Sequence, residues 1–130
     1  MARKLEFSPD EYYHLYTRGT NRREIFLDDN DHLRFILLLY TTNAKKVIHL
    51  SDHWRQEQTD LKKVFNLDRG STLVDIGAYC LMPNHFHLLV KEKSEQGISI
   101  FVQKLMTGYS MYFNKKYQQT GSIDNVKARP

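Results

Sequence analysis

The chain has 130 residues, 41% of them hydrophobic and 26% charged, with a net charge of +4; that composition suits one folded domain with a real core and excludes a disordered chain. Its longest uninterrupted apolar run, residues 35–40, falls far short of the roughly 18 residues of a membrane span, and the N-terminus has no apolar stretch of signal-peptide length. One cysteine, Cys80, forms no internal disulfide and no zinc cluster by itself, so a soluble protein of a reducing, cytoplasmic setting is expected, with no membrane partner.

Residues 12–18 are aromatic and alternate, which predicts a strand ended by a turn at Gly19. Residues 28–31 offer N-caps, and His32, Phe35, Ile36, Leu39 and Tyr40 recur at helical spacing, predicting a helix over about 30–43. Residues 44–71 are less regular. A helix over about 51–66, capped by Ser51 and anchored by Trp54, fits them, which makes this stretch a helical insert. Residues 74–81 and 85–92 read as two strands joined at Pro83 and Asn84, an antiparallel hairpin. A second helix over about 98–118 carries Ile98, Phe101, Val102, Leu105, Tyr109, Tyr112 and Phe113 on one stripe, with Gly121 as its stop. The tail, residues 122–130, has the makings of a further strand cut short.

Strand, helix, insert, strand, strand, helix and a possible last strand is the order of an α+β, ferredoxin-like split βαβ sandwich. Its antiparallel sheet carries helices on one face and leaves the other free for a ligand. A single domain spans residues 1–130 in this reading. The positive charge sits late: residues 100–130 carry five Lys/Arg against one Asp, and Arg18, Arg22 and Arg23 make a second cluster. Such clusters suit a polyanion. Arg18, Asn21, Arg22 and Arg23 follow the first strand and are candidate phosphate contacts, as are Lys115 and Lys116 on the second helix; a solvated turn explains the first group equally well.

Chemistry concentrates in Met82-Pro83-Asn84-His85-Phe86-His87-Leu88-Leu89-Val90. Strand side chains alternate with period two, so His85 and His87 share the free face, while Phe86, Leu88 and Val90 point at the helices. Two neighbouring imidazoles are two arms of a metal site. A surface pair with no function is the competing reading of H-x-H alone. His14 and His49 lack a partner spacing and read as structural, and Cys80 reads as a small buried filler.

The segment AYCLMPNHFHLLV, preceded by YYHLYTRGTNRREIFLDDNDHLRF, closely resembles the bacterial single-tyrosine HUH transposases, among them the insertion-sequence enzymes of that type and the REP-associated tyrosine transposases. The likeness covers nearly the whole chain and includes the helix through Leu105, Tyr112, Phe113 and Asn114 to Gly121. It implies action on single-stranded or hairpin DNA by a homodimer. A divalent ion, Mg2+ or Mn2+, would be held by His85, His87 and a further polar side chain. A tyrosine hydroxyl would attack phosphorus, leaving a 5′-phosphotyrosine and a free 3′-OH.

In the family that tyrosine lies on a later helix, four residues before a polar ligand. No such motif occupies that place before Pro130, which implies either a C-terminally truncated form or a different nucleophile. Tyr109 and Tyr112 are the weak substitutes, since both lie on the apolar stripe and are expected to pack; Tyr117 is expected at a DNA or solvent surface. The expected function is a DNA transposase domain that nicks and rejoins single strands, and the alternative is a catalytically silent DNA-binding remnant. A two-histidine phosphodiesterase needs paired H-x-[ST] motifs, and the chain has no such pair.

Overall fold

The structure, a computed structural model, describes residues 7–17, 23–53, 60–123 and 125–130. Strand β1 (Tyr12–Tyr16) buries Tyr13 and Leu15 and turns Tyr12, His14 and Tyr16 to the opposite side, as strand alternation requires. Helix α1 (Asp29–Thr41) begins where Asp28 and Asp31 cap each other: Asp31 N–H donates to Asp28 Oδ1 at 2.9 Å and Asp28 N–H to Asp31 Oδ2 at 3.3 Å. That is a capping box with a shorter acid at its third position. At its other end Asn43 is buried. Its Oδ1 accepts from Leu73 N and Val74 N, and its Nδ2 donates to Val74 O, which ties the helix exit to the next strand.

The insert departs from the expected single helix. Its described parts are one turn of 3-10 helix, Leu50–Asp52, and a short helix α2 (Leu61–Phe65). Asp60 is extended (φ −84°, ψ 102°) and itself caps α2 by accepting from Lys62 N and Lys63 N, so a helix cannot run through it from Ser51. Trp54 lies outside the described residues.

Strands β2 (Val74–Met82) and β3 (His85–Glu92) form the hairpin across Pro83 and Asn84, with a register shift between Ile76 and Ala78. Helix α3 (Gly97–Tyr117) buries Ile98, Phe101, Leu105, Tyr109 and Phe113. Its first residue must be glycine, because a Cβ there would sit 2.1 Å from Leu73 O. The helix ends at Gln118 in the left-handed region, and Gly121 (φ 85°) follows. The tail then forms a true edge strand, β4 (Lys127–Arg129).

The sheet order is β2-β3-β1-β4, with every neighbouring pair antiparallel. Helices α1 and α3 cover one face: Phe35 of α1 meets Phe86 of β3 at 4.9 Å and Tyr109 of α3 at 5.3 Å between ring centroids. Phe86, Leu88 and Val90 are fully buried there, each worth about 1.5–3 kcal/mol of removed apolar surface. On the other face Tyr12, Met82 and Leu89 remain 46%, 41% and 39% exposed. This is the ferredoxin-like α+β sandwich expected from the element order. Among the described residues no helix is long and apolar enough to cross a membrane.

Candidate functional site

Residues directly opposite in an antiparallel pair point to the same side of the sheet. His87 lies opposite Cys80 on β2 and Tyr16 on β1, and Tyr16 lies opposite Lys127 on β4. One row therefore crosses all four strands on the open face: Cys80, His87, Tyr16, Lys127. The neighbouring row carries Leu89, His14 and Arg129, and His85 stands opposite Met82. The loop beneath is pinned: Ile25 N and Phe26 N both donate to Pro83 O, and Thr17 Oγ1 accepts from Phe86 N at 3.1 Å. The two histidines thus stand on a rigid strand rather than a free loop.

Their rings lie 5.2 Å apart at 84°, and both are half-buried. In each ring one nitrogen is engaged. His85 Nδ1 is 2.7 Å from Asn84 Oδ1, and His87 Nδ1 is 2.7 Å from His14 Nε2. An amide oxygen only accepts, so His85 Nδ1 donates, and in the neutral ring Nε2 keeps the lone pair. Neither Nε2 has a hydrogen-bond partner among the described residues. Burial, then the neighbouring His14 and His85, hold the His87 pKa below the usual histidine value, so the ring is neutral at pH 7 and able to ligate. The donor set therefore fits a divalent ion through two imidazole Nε2 atoms. No cluster of three or more His, Cys, Asp or Glu able to hold a metal ion occurs among the described residues.

His14 is the residue that sequence spacing missed. It reads as structural along the chain, yet its ring lies 4.9 Å from His87 and 4.8 Å from Tyr16, nearly parallel to both. The signal was available in the alternation of β1, which places His14 and Tyr16 on the His87 side once β1 pairs with β3. Cys80 also corrects its reading: it is exposed on the open face rather than buried.

The other candidates lie elsewhere. Tyr109 is fully buried, and its hydroxyl donates to Ile25 O. Tyr112 and Tyr117 donate to Asp31 at 2.7 and 2.5 Å, and Lys116 pairs with Asp28 and Asp31 at 2.7 and 2.9 Å. Tyr117 is half-buried, with its ring against Phe113 and its hydroxyl committed to Asp31. All of these belong to the helix layer, behind Phe35 and Phe86, and none joins the histidines. Arg23 sets its guanidinium 5.0 Å from the centre of the Phe113 ring, and Lys115 is exposed. Arg18, Asn21 and Arg22 lie outside the described residues. A cleft of about 1140 Å³ between α1, α3 and residues 47–51 is also on the helix side and touches neither histidine.

The family described as "Transposase IS200 like" matches residues 8–126. The chain belongs to the IS200-like transposases. A crystal structure described as that of "a putative transposase from deinococcus radiodurans r1" superposes on it with a TM-score of 0.53 at 14% identity. The match covers 100% of this chain and 85% of that one, and supports the fold. No curated protein matches the chain. IS200-like membership gives the chain a DNA partner.

Proposed function

We propose that this IS200-like transposase domain binds single-stranded or hairpin DNA on the open sheet face and cleaves and rejoins it through a 5′-phosphotyrosine. The observation that carries this reading is the pair His85 and His87, side by side on that face with both Nε2 atoms unengaged. They would hold the divalent ion, Mg2+ or Mn2+. When bound, the ion supplies positive charge to the non-bridging oxygens of the scissile phosphate.

The surrounding residues suit a strand with unpaired bases. Tyr12 offers an exposed aromatic surface beside Lys91, and Arg129 Nε donates to the Tyr16 hydroxyl at 3.2 Å. Unpaired bases stack on aromatic faces while neighbouring cations meet the phosphates of the strand. In the cleavage step a tyrosine hydroxyl oxygen bonds to phosphorus and gives up its proton, the bond from phosphorus to the 3′ oxygen breaks, and that oxygen takes up a proton and leaves as the 3′-OH. Tyr109 and Tyr112 do not supply that oxygen in our reading. Burial first, then the carboxylate of Asp31, raise both hydroxyls above the usual tyrosine pKa, which is the wrong direction for a nucleophile. The commitment of these hydroxyls to the helix layer also favours the second reading, a chain that binds DNA without cutting it.

A labelled hairpin oligonucleotide with Mn2+ tests both. Binding should exceed that of random duplex and fall with salt as phosphate contacts demand; equal affinity for any polyanion, or indifference to salt, overturns the DNA reading. A covalent adduct on a suicide substrate separates the transposase from the silent binder. An adduct abolished by Tyr109→Phe or Tyr112→Phe, in a variant that still folds, contradicts the exclusion of these residues. The family likeness further leads us to expect a cytoplasmic homodimer, with Arg18, Asn21, Arg22, Arg23 and Lys115 as further DNA contacts. Lys116 is the least favoured of the basic candidates, since two carboxylates already engage it.

A further inference from the structure

We propose that His14 is a positioning residue that fixes which nitrogen of His87 faces outward, an inference that rests on the metal-binding reading above. Two neutral imidazoles joined nitrogen to nitrogen share one proton, so one ring must donate and the other accept. At 2.7 Å between His14 Nε2 and His87 Nδ1, only one of the two arrangements leaves His87 able to ligate. If His87 Nδ1–H donates, its Nε2 keeps a lone pair on the open face. If His14 donates instead, His87 carries its proton on Nε2 and presents a donor where a ligand is needed.

The ring geometry suits the first arrangement. His87 turns Nδ1 to His14 and leaves Nε2 outward, so an ion held by Nε2 would leave the ring's one proton on Nδ1, where His14 Nε2 is the acceptor within reach. Tyr16 stacks on the His14 ring and restrains its rotation, and the Tyr16 hydroxyl accepts from Arg129 Nε. Asn84 serves His85 in the same way, through an acceptor on Nδ1. Each histidine of the pair thus has its inner nitrogen occupied, one by an imidazole on β1 and the other by the amide of the β2–β3 turn. Metal-ligating histidines commonly carry such a partner, and losing it costs about 10–100-fold in metal affinity.

Long-range proton–nitrogen NMR on the metal-free chain at neutral pH reads the tautomer directly. Wild type should show neutral His87 protonated at Nδ1. His14→Phe, which keeps a flat ring for stacking but accepts no proton, should move His87 toward protonation at Nε2. His14→Gln, whose amide places an acceptor near the Nε2 position, should restore Nδ1 protonation. In parallel, Mn2+ titration should show affinity weakened about 10–100-fold in His14→Phe and within about threefold of wild type in His14→Gln. An Nε2-protonated His87 in wild type overturns the inference, and so does a His14→Phe variant that matches wild type in both readouts. Should the His87 tautomer follow residue 14 while wild type binds no Mn2+, the positioning role stands and the metal-binding reading falls.

Discussion

Two clusters of ionisable and aromatic side chains face opposite sides of the sheet, and they differ in what they leave unused. On the helix side, Asp31 is fully buried and collects Tyr112, Tyr117, Lys116 and the backbone N–H groups of Leu27 and Asp28. Burial pushes its carboxyl up, but these hydrogen bonds outweigh burial and pull it down to about 2. Burial pushes Lys116 down, and its bonds to Asp28, Asp31 and the two tyrosines reverse that to a net rise. Every group there holds a partner and the cluster locks α1 to α3. On the open face His14, His85 and His87 each engage one ring nitrogen among the described residues. A closed polar network specifies a fold, whereas an open one with unspent donors suits a ligand.

The sharpest way to break this division is Asp31→Ala. It strands a lysine and two hydroxyls around a buried position, and we expect a loss of about 3–5 kcal/mol, read as a lower urea midpoint at unchanged slope. Wild-type loss of stability in acid should follow the same group. A carboxyl lowered from 3.8 to about 2 in the fold stabilises above pH 3.8, and that contribution fades as pH falls from about 4 toward 2. A chain equally stable at pH 5 and pH 2 would deny Asp31 its role.

Tyr109→Phe is a smaller helix-side change. It leaves Ile25 O without its buried donor and should cost about 1–3 kcal/mol while Mn2+ and hairpin binding stay at wild-type values. Reduced Mn2+ affinity in the folded variant would show that the two clusters are coupled. On the open face the signs reverse: His85→Ala and His87→Ala should abolish Mn2+ binding yet shift stability by only about 0.5 kcal/mol, as for other surface positions, measured by thermal melting. Smallest of all, Tyr12→Ala should weaken single-strand binding by about 1 kcal/mol and leave duplex binding unmoved; an equal loss on both would remove the stacking role.

The frame of this division was legible in the sequence where periodicity is strong. The predicted α3 and the β2–β3 hairpin end within one residue of the observed elements, because alternation around Phe86, Leu88 and Val90 and the stripe through Phe101, Leu105 and Tyr109 admit one register each. The insert was not legible. Its polar face mimics a helix, and only the extended backbone at Asp60 shows where α2 starts. His14 could not be recognised from spacing, since its partner is 73 residues away and they meet only through the β1–β3 pairing. Cys80 was misread because a lone cysteine is most often buried, whereas its place opposite His87 turns it outward. The polar neighbours of Tyr117, Lys115, Lys116 and Gln118, gave no sign that its hydroxyl reaches back to Asp31.

We propose the open face, through His85 and His87, as the metal-binding and DNA-processing side of this IS200-like domain. Crystals soaked in Mn2+ and measured by anomalous diffraction should show one peak per chain, bound by the Nε2 atoms of both His85 and His87, with His87 Nδ1 still against His14. A peak in the helix-side cleft near Lys104 and Met111, or rings of His85 and His87 that turn away from a shared ion, would contradict it.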